Sequence, residues 1–311
     1  MLVLLLLLLY TVCVLLLGPR LAAGRPWTSS APRLGLVICH AVPAAAVSGV
    51  ALMAAMTAVS VQHVRADVGH LLHACAVAVW DSATHPGVPV TTALGLAAAV
   101  LLTHLVRTAA SSAASARSTR REQREGLALI GHGSDDDGYT RVTSEQRFAY
   151  CLPGEGGRIV VSTAAERELD DEELAAVLAH ERAHLTGRHH ALVQITQVLA
   201  NAVPLAPLRA LRAEVATLVE MAADDRACRE SDREALLTAL LRLGAPGAAT
   251  PGLAVNGSRT VARALRLAEP SQRPPVSQRA ALCAVAGAMV ITPWLLGAVP
   301  VALAVTGHCS A

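Results

Sequence analysis

The chain has 311 residues, 53% of them hydrophobic and 16% charged, with a net charge of +2. That leaves room for one globular domain and several membrane spans, with no global field to draw nucleic acid. All 26 basic residues are arginines, which excludes Schiff-base and serine–lysine chemistry, both dependent on a lysine amine. The seven cysteines form no C-x-x-C pair, and Cys13, Cys39 and Cys283 fall in apolar runs that suit reduced, buried thiols.

A helix needs about 20 mostly apolar residues to cross a bilayer. Runs at about 2–17, 34–61 and 88–106 give three spans within residues 1–106, and 280–304 gives a fourth. Val68–Trp80 is too short and holds His70 and His73, so it is expected to pack against the spans without crossing. The first run has no basic residue before it, and Arg20, Arg25 and Arg33 follow it. This pattern suits an uncleaved anchor with its amino terminus outside better than a signal peptide. After the third run come Arg107, Arg117, Arg120, Arg121 and Arg124. The positive-inside rule then makes 107–279 cytoplasmic and leaves both termini outside, in a multi-pass protein of the cell membrane.

Residues 107–125 are small, polar and basic and read as a juxtamembrane linker or a frayed helix extension. Short β-like pieces follow at Leu127–Ile130, Tyr139–Thr143, Phe148–Leu152 and Arg158–Ser162, the last two joined as a hairpin by a Pro/Gly-rich loop. From Asp170 the periodicity turns helical, with Asp170 and Asp171 as caps and Leu174, Val177 and Leu178 as apolar positions. A second helix is expected from Leu208 to Arg229, with Leu211, Val215, Leu218 and Ala222 along one stripe, and Ala191–Ala206 lies against the bilayer or the core. These elements delimit a domain at 126–243. Residues 244–279 form a second juxtamembrane linker, with a short helix near Arg259–Leu267.

The first of these helices contains His180-Glu181-Arg182-Ala183-His184. Histidines at i and i+4 share a helix face, so both imidazoles reach one Zn²⁺, and the glutamate after the first is turned toward the open coordination position. Zinc with three protein ligands lowers the pKa of a bound water to about 7, and Glu181 is placed to take its proton. Two residues compete to be the third ligand. Gly187 and His190 complete the metzincin spacing H-E-x-x-H-x-x-G-x-x-H. Glu220, on the second helix, shares a face with Asp224, which would orient a ligand histidine from behind. Metzincins also need a downstream Met-turn, and after the motif only Met221 and Met289 occur. Arg226 is a candidate oxyanion group by its polarity and nearness to Glu220.

The stretch Phe148–His190 resembles the BlaR/MecR-type membrane metallopeptidases. It carries Tyr150-Cys151-Leu152-Pro153-Gly154, the strand Ile159-Val160-Val161-Ser162, and Val177-Leu178-Ala179-His180-Glu181 with His184. With Glu220, Ala223 and Asp224 it is also similar to the related HtpX and CAAX-protease gluzincins. The resemblance implies one Zn²⁺ per chain and endopeptidase activity on the cytoplasmic side. It also implies that substrate adds to an edge strand at Arg158, Ile159, Val160, Val161 and Ser162. It departs from the β-lactam sensors in one respect: a Ser-x-x-Lys acylation site is impossible without lysine.

The fold class expected is a polytopic α-helical membrane protein with an α+β zincin-like (gluzincin) cytosolic peptidase domain. Its partners would be the lipid bilayer and a protein or peptide substrate, such as a transcriptional repressor, with no direct nucleic-acid binding. Membrane-protein quality control of the HtpX kind and a non-catalytic membrane scaffold are the alternatives.

Overall fold

The computed structural model describes residues 2–65, 87–132, 138–154, 156–244, 253–269 and 274–308. Val68–Trp80 lies outside them. The near-pure leucine run forms α1 (Leu2–Leu17), and a short helix α2 (Pro26–Ser30) leads into α3 (Pro32–Arg65). The other long helices are α4 (Gly87–Ile130) and α11 (Val276–His308). Stretches at Leu2–Leu21, Pro32–Ala58, Val90–Leu129 and Val276–Ala298 are long and apolar enough to cross a membrane. Cys39 is buried, whereas Cys13 and Cys283 face outward from α1 and α11.

On α4 one open alternative is decided and one expectation fails. Residues 107–125 continue it without a break, because their Ala, Arg, Glu and Gln content favours helix. Side-chain bonds one turn apart support it: Arg121 Nε to Glu125 at 2.7 Å and Ser118 Oγ to Glu122 at 2.9 Å. Leu127–Ile130 is the last turn of the same helix and not a strand. Leu127 is apolar because it packs beneath the sheet, against Val142, Leu152 and Val160.

The sheet comprises β1 (Gly131–His132), β2 (Thr140–Val142), β3 (Ala149–Leu152) and β4 (Arg158–Ser162), in the order β1-β2-β4-β3. The hairpin is present, with Tyr150 opposite Val160 and Cys151 opposite Ile159. β4 is not an edge strand. Its other side pairs in parallel with β2, and Ile159, Val160, Val161 and Ser162 are buried. A short continuous apolar run suits a strand covered on both faces, and here it is also flanked on both sides. Among the described residues the outer strand on this side is β3.

Ser162 ends β4 by capping α5 (Thr163–Glu168), its hydroxyl accepting from the Ala165 amide at 3.1 Å. The next helix, α6 (Asp171–Thr186), begins with a capping box between Asp170 and Glu173. Glu173 also accepts from Arg242 at 2.8 Å, on α9 (Arg233–Gly244). α6 stops at Gly187, and Arg188, at φ 48°, turns the chain into α7 (His189–Ala202). α8 (Ala206–Ala227) and α10 (Leu253–Ala268) complete the fold. The second expected helix is thus present as α8, and the one near Arg259–Leu267 extends further toward the amino terminus.

The largest core joins the membrane-type helices to the rest. Leu208, Leu211, Val215 and Leu218 of α8 are buried in one cluster with Leu36, Ile38, Cys39 and Val42 of α3 and Leu199 of α7. Gly35 makes this approach possible, since a Cβ there would sit 2.8 Å from Leu218 Cδ1. Polar ties reinforce it. Glu214 of α8 accepts from the Gly24 amide at 3.2 Å and Thr28 Oγ1 at 3.1 Å, while Arg266 of α10 donates to Ser29 O at 2.6 Å and Asp225 at 2.5 Å.

Candidate metal centre

Small buried residues line the contact between α6 and α8, including Ala179 and Ala183 on one and Ala222 and Ala223 on the other. They let the helices approach until His180, His184 and Glu220 converge. His180 Nε2 and His184 Nε2 stand 3.0 Å apart. Glu220 Oε2 lies 3.5 Å from the first nitrogen and Oε1 lies 3.5 Å from the second.

These donors suit a cation. Two nitrogens each about 2.0–2.1 Å from a tetrahedral zinc stand about 3.3 Å apart, close to the separation seen. Two nitrogen lone pairs and a carboxylate aimed at one point repel unless something positive lies between them. Two histidines and one carboxylate are also a donor set typical of catalytic zinc, which keeps a fourth position open.

Behind the donors lies a second layer of charge. His180 Nδ1 is 3.0 Å from Asp224 Oδ1, and Asp224 is fully buried. Arg263 of α10 grips Asp224 with two bonds, Nε to Oδ2 at 2.8 Å and Nη2 to Oδ1 at 2.7 Å, and places Nη1 3.0 Å from Glu220 Oε2. Burial pushes both carboxyls up, but the cationic partners outweigh it. Asp224, bonded to Arg263, is held down at about 2, and Glu220, facing His180 and His184, is held well below the usual carboxylate range. Burial pulls His180 down, yet Asp224 and Glu220 prevail and hold it up at about 9.

On the other histidine, His184 Nδ1 is 3.0 Å from His189 Nδ1. His189 is 8% exposed at the start of α7, whereas His190 is exposed and absent from the cluster. Of the two candidate third donors, only Glu220 lies with the histidines. Arg226 is exposed and bonds Glu230 at 2.7 Å. Glu181 is half-buried and faces Cys151 of β3, whose thiol burial and the Glu181 carboxylate push up to about 12.

The sequence reading missed His189 and Arg263. Nothing in the residue types separates His189 from its neighbour His190. Arg263 lies in a stretch read as linker, and its only signal was the spacing of Arg263 and Arg266 along a short amphipathic helix.

Residues 119–250 match the family model of Peptidase family M48, a stretch that takes in β1 to β4, α6 and α8. No curated protein and no solved structure matches the chain. Over the part that carries the histidine–glutamate cluster, the chain is therefore similar to Peptidase family M48, a family of metalloproteases.

Proposed function

We propose that the protein is an integral membrane zinc endopeptidase that hydrolyses peptide bonds of a cytosolic or membrane-proximal protein. The observation that carries this reading is the convergence of His180 Nε2, His184 Nε2 and Glu220 on one point, with Glu181 following the first histidine on the same helix. His180, His184 and Glu220 would hold the ion. Zinc bound there supplies Lewis acidity, polarising a carbonyl oxygen and acidifying a water.

The chain's own groups do the rest. Glu181 takes the proton of the attacking water and returns it to the leaving amine nitrogen. Asp224 and Arg263 hold His180 and Glu220 from behind, so that the donors keep their aim through the cycle. The substrate backbone is expected on β3 rather than β4. Ser162 N donates to Phe148 O at 3.0 Å, so Phe148 and Ser162 form a hydrogen-bonded pair. The alternation of an antiparallel ladder then turns the backbone groups of Ala149 and Cys151 toward the open edge, where an extended peptide can add as a further strand.

The arginine bias favours a cytoplasmic peptidase part with both termini outside. A transcriptional repressor cut in a signalling response fits that placement.

The test is zinc content and cleavage of casein by the detergent-purified full chain. Wild type should hold about one zinc. Glu181→Gln should keep the metal and lose cleavage, and Glu220→Gln should lose the metal. Wild type without zinc or cleavage would leave a membrane scaffold, and zinc retained by Glu220→Gln would remove Glu220 from the ligand set.

A further inference from the structure

The two histidines of the centre are backed differently. His180 turns its remote nitrogen to a carboxylate, Asp224, a common arrangement for a metal ligand. His184 turns its remote nitrogen to a second imidazole, with 3.0 Å between the two Nδ1 atoms. Only one proton fits between two nitrogens at that distance, so one must donate and the other accept. His184 needs its Nε2 lone pair free for the ion, which puts its proton on Nδ1. His189 must then accept with Nδ1 and carry its own proton on Nε2.

We infer that His189 is a positioning residue of the zinc centre: it accepts the Nδ1 proton of His184 and thereby fixes the tautomer and ring orientation with which His184 meets the metal. This rests on the zinc reading above and deepens it.

Three features of the chain hold His189 in place. Arg188 takes the left-handed conformation, the one positive φ outside glycine among the described residues. That turn breaks α6 from α7 and swings the next side chain back over the metal helix. Gly187 leaves the room the ring occupies, for a Cβ there would fall on His189 Nε2 and Cδ2 and lie 2.9 Å from Ala183 O. The ring is also buried, edge-on to His184 with centroids 4.8 Å apart.

The test uses detergent-purified full chains of wild type, His189→Leu, His189→Asn and Gly187→Ala. Zinc affinity is read by competition with a chromophoric chelator, and thermal unfolding is followed without metal. His189→Leu should weaken zinc binding by about 10–100-fold, the usual cost of losing such a partner. His189→Asn puts an amide oxygen where Nδ1 stood and should recover most of the affinity. Gly187→Ala should weaken binding although His189 is still present, because the ring is displaced. Wild-type affinity in His189→Leu overturns the inference, as does an equal loss in the Leu and Asn variants, which would mark a merely structural role. If wild type itself binds no zinc, the metal reading fails, and the inference with it.

Discussion

Arg263→Gln should be the most destabilising single change near the centre. The guanidinium is 13% exposed and faces a fully buried Asp224 and a Glu220 that is 35% exposed. Glutamine removes the positive charge and leaves Asp224 buried without its strongest partner. The net depression of the Asp224 carboxyl, from 3.8 to about 2, corresponds to about 2 kcal/mol. Loss of one partner of a buried ion pair is usually larger, about 3–5 kcal/mol. The partial exposure of Glu220 screens its share, so Asp224 supplies most of the effect. A loss of that size lowers the thermal midpoint by roughly 6–20 °C in a domain of this class. Unfolding of the metal-free protein, followed by far-ultraviolet circular dichroism in detergent, measures it directly. Zinc should narrow the gap, because the ion replaces part of the missing charge beside Glu220. Asp224→Asn in the Arg263→Gln background should recover stability, since it removes the orphaned charge. A midpoint shift in metal-free Arg263→Gln equivalent to less than about 0.5 kcal/mol would refute the argument.

The remaining predictions concern protons and the strand edge. His180 is held above its ordinary 6.5 at about 9, so its proton stabilises the metal-free fold fully below about 6.5 and is lost as pH rises through 9. Zinc must displace that proton, so apparent affinity should rise about tenfold per pH unit between those limits and then level off; chelator competition showing a flat profile there would contradict the assignment. Ala149→Pro removes an amide that points to the open edge of β3, so cleavage should fall while the thermal midpoint moves little, whereas Tyr150→Pro breaks the ladder and should lower both. Undiminished cleavage by Ala149→Pro would argue against substrate addition at β3.

Local signals carried far in this sequence. Asp170 and Asp171 marked the start of α6, and the stripe from Leu208 to Ala222 marked α8, because both signals lie within a turn or two of the helix they announce. The same helical spacing placed His180, Glu181 and His184. What stayed hidden depends on tertiary neighbours. Whether β4 is central or at the edge is settled by β2, some 20 residues earlier, and the edge placement expected for β4 came from the resemblance alone. His189 differs from His190 only through the backbone turn at Arg188, which the residue types do not announce. Arg263 reaches Asp224 across 39 positions, and no short-range periodicity encodes such a pairing. Along 107–125 the small, polar and basic composition leaves linker and helix extension both open, although alanine, arginine and glutamate are good helix formers.

The core that α3 shares with α8 also orders events in time. As the chain is made, the helix that brings Glu220 emerges long after α3, and its stripe of Leu208, Leu211, Val215 and Leu218 finds cover on a helix already laid down. Arg263 follows later still, closing the charge behind Glu220 and Asp224. A chain whose early helices have failed to insert has nothing for that stripe to settle on, and its exposed leucines mark it for aggregation or degradation. The meeting of the two histidines and the glutamate therefore depends on α8 seating against α3, far from the metal ligands in sequence.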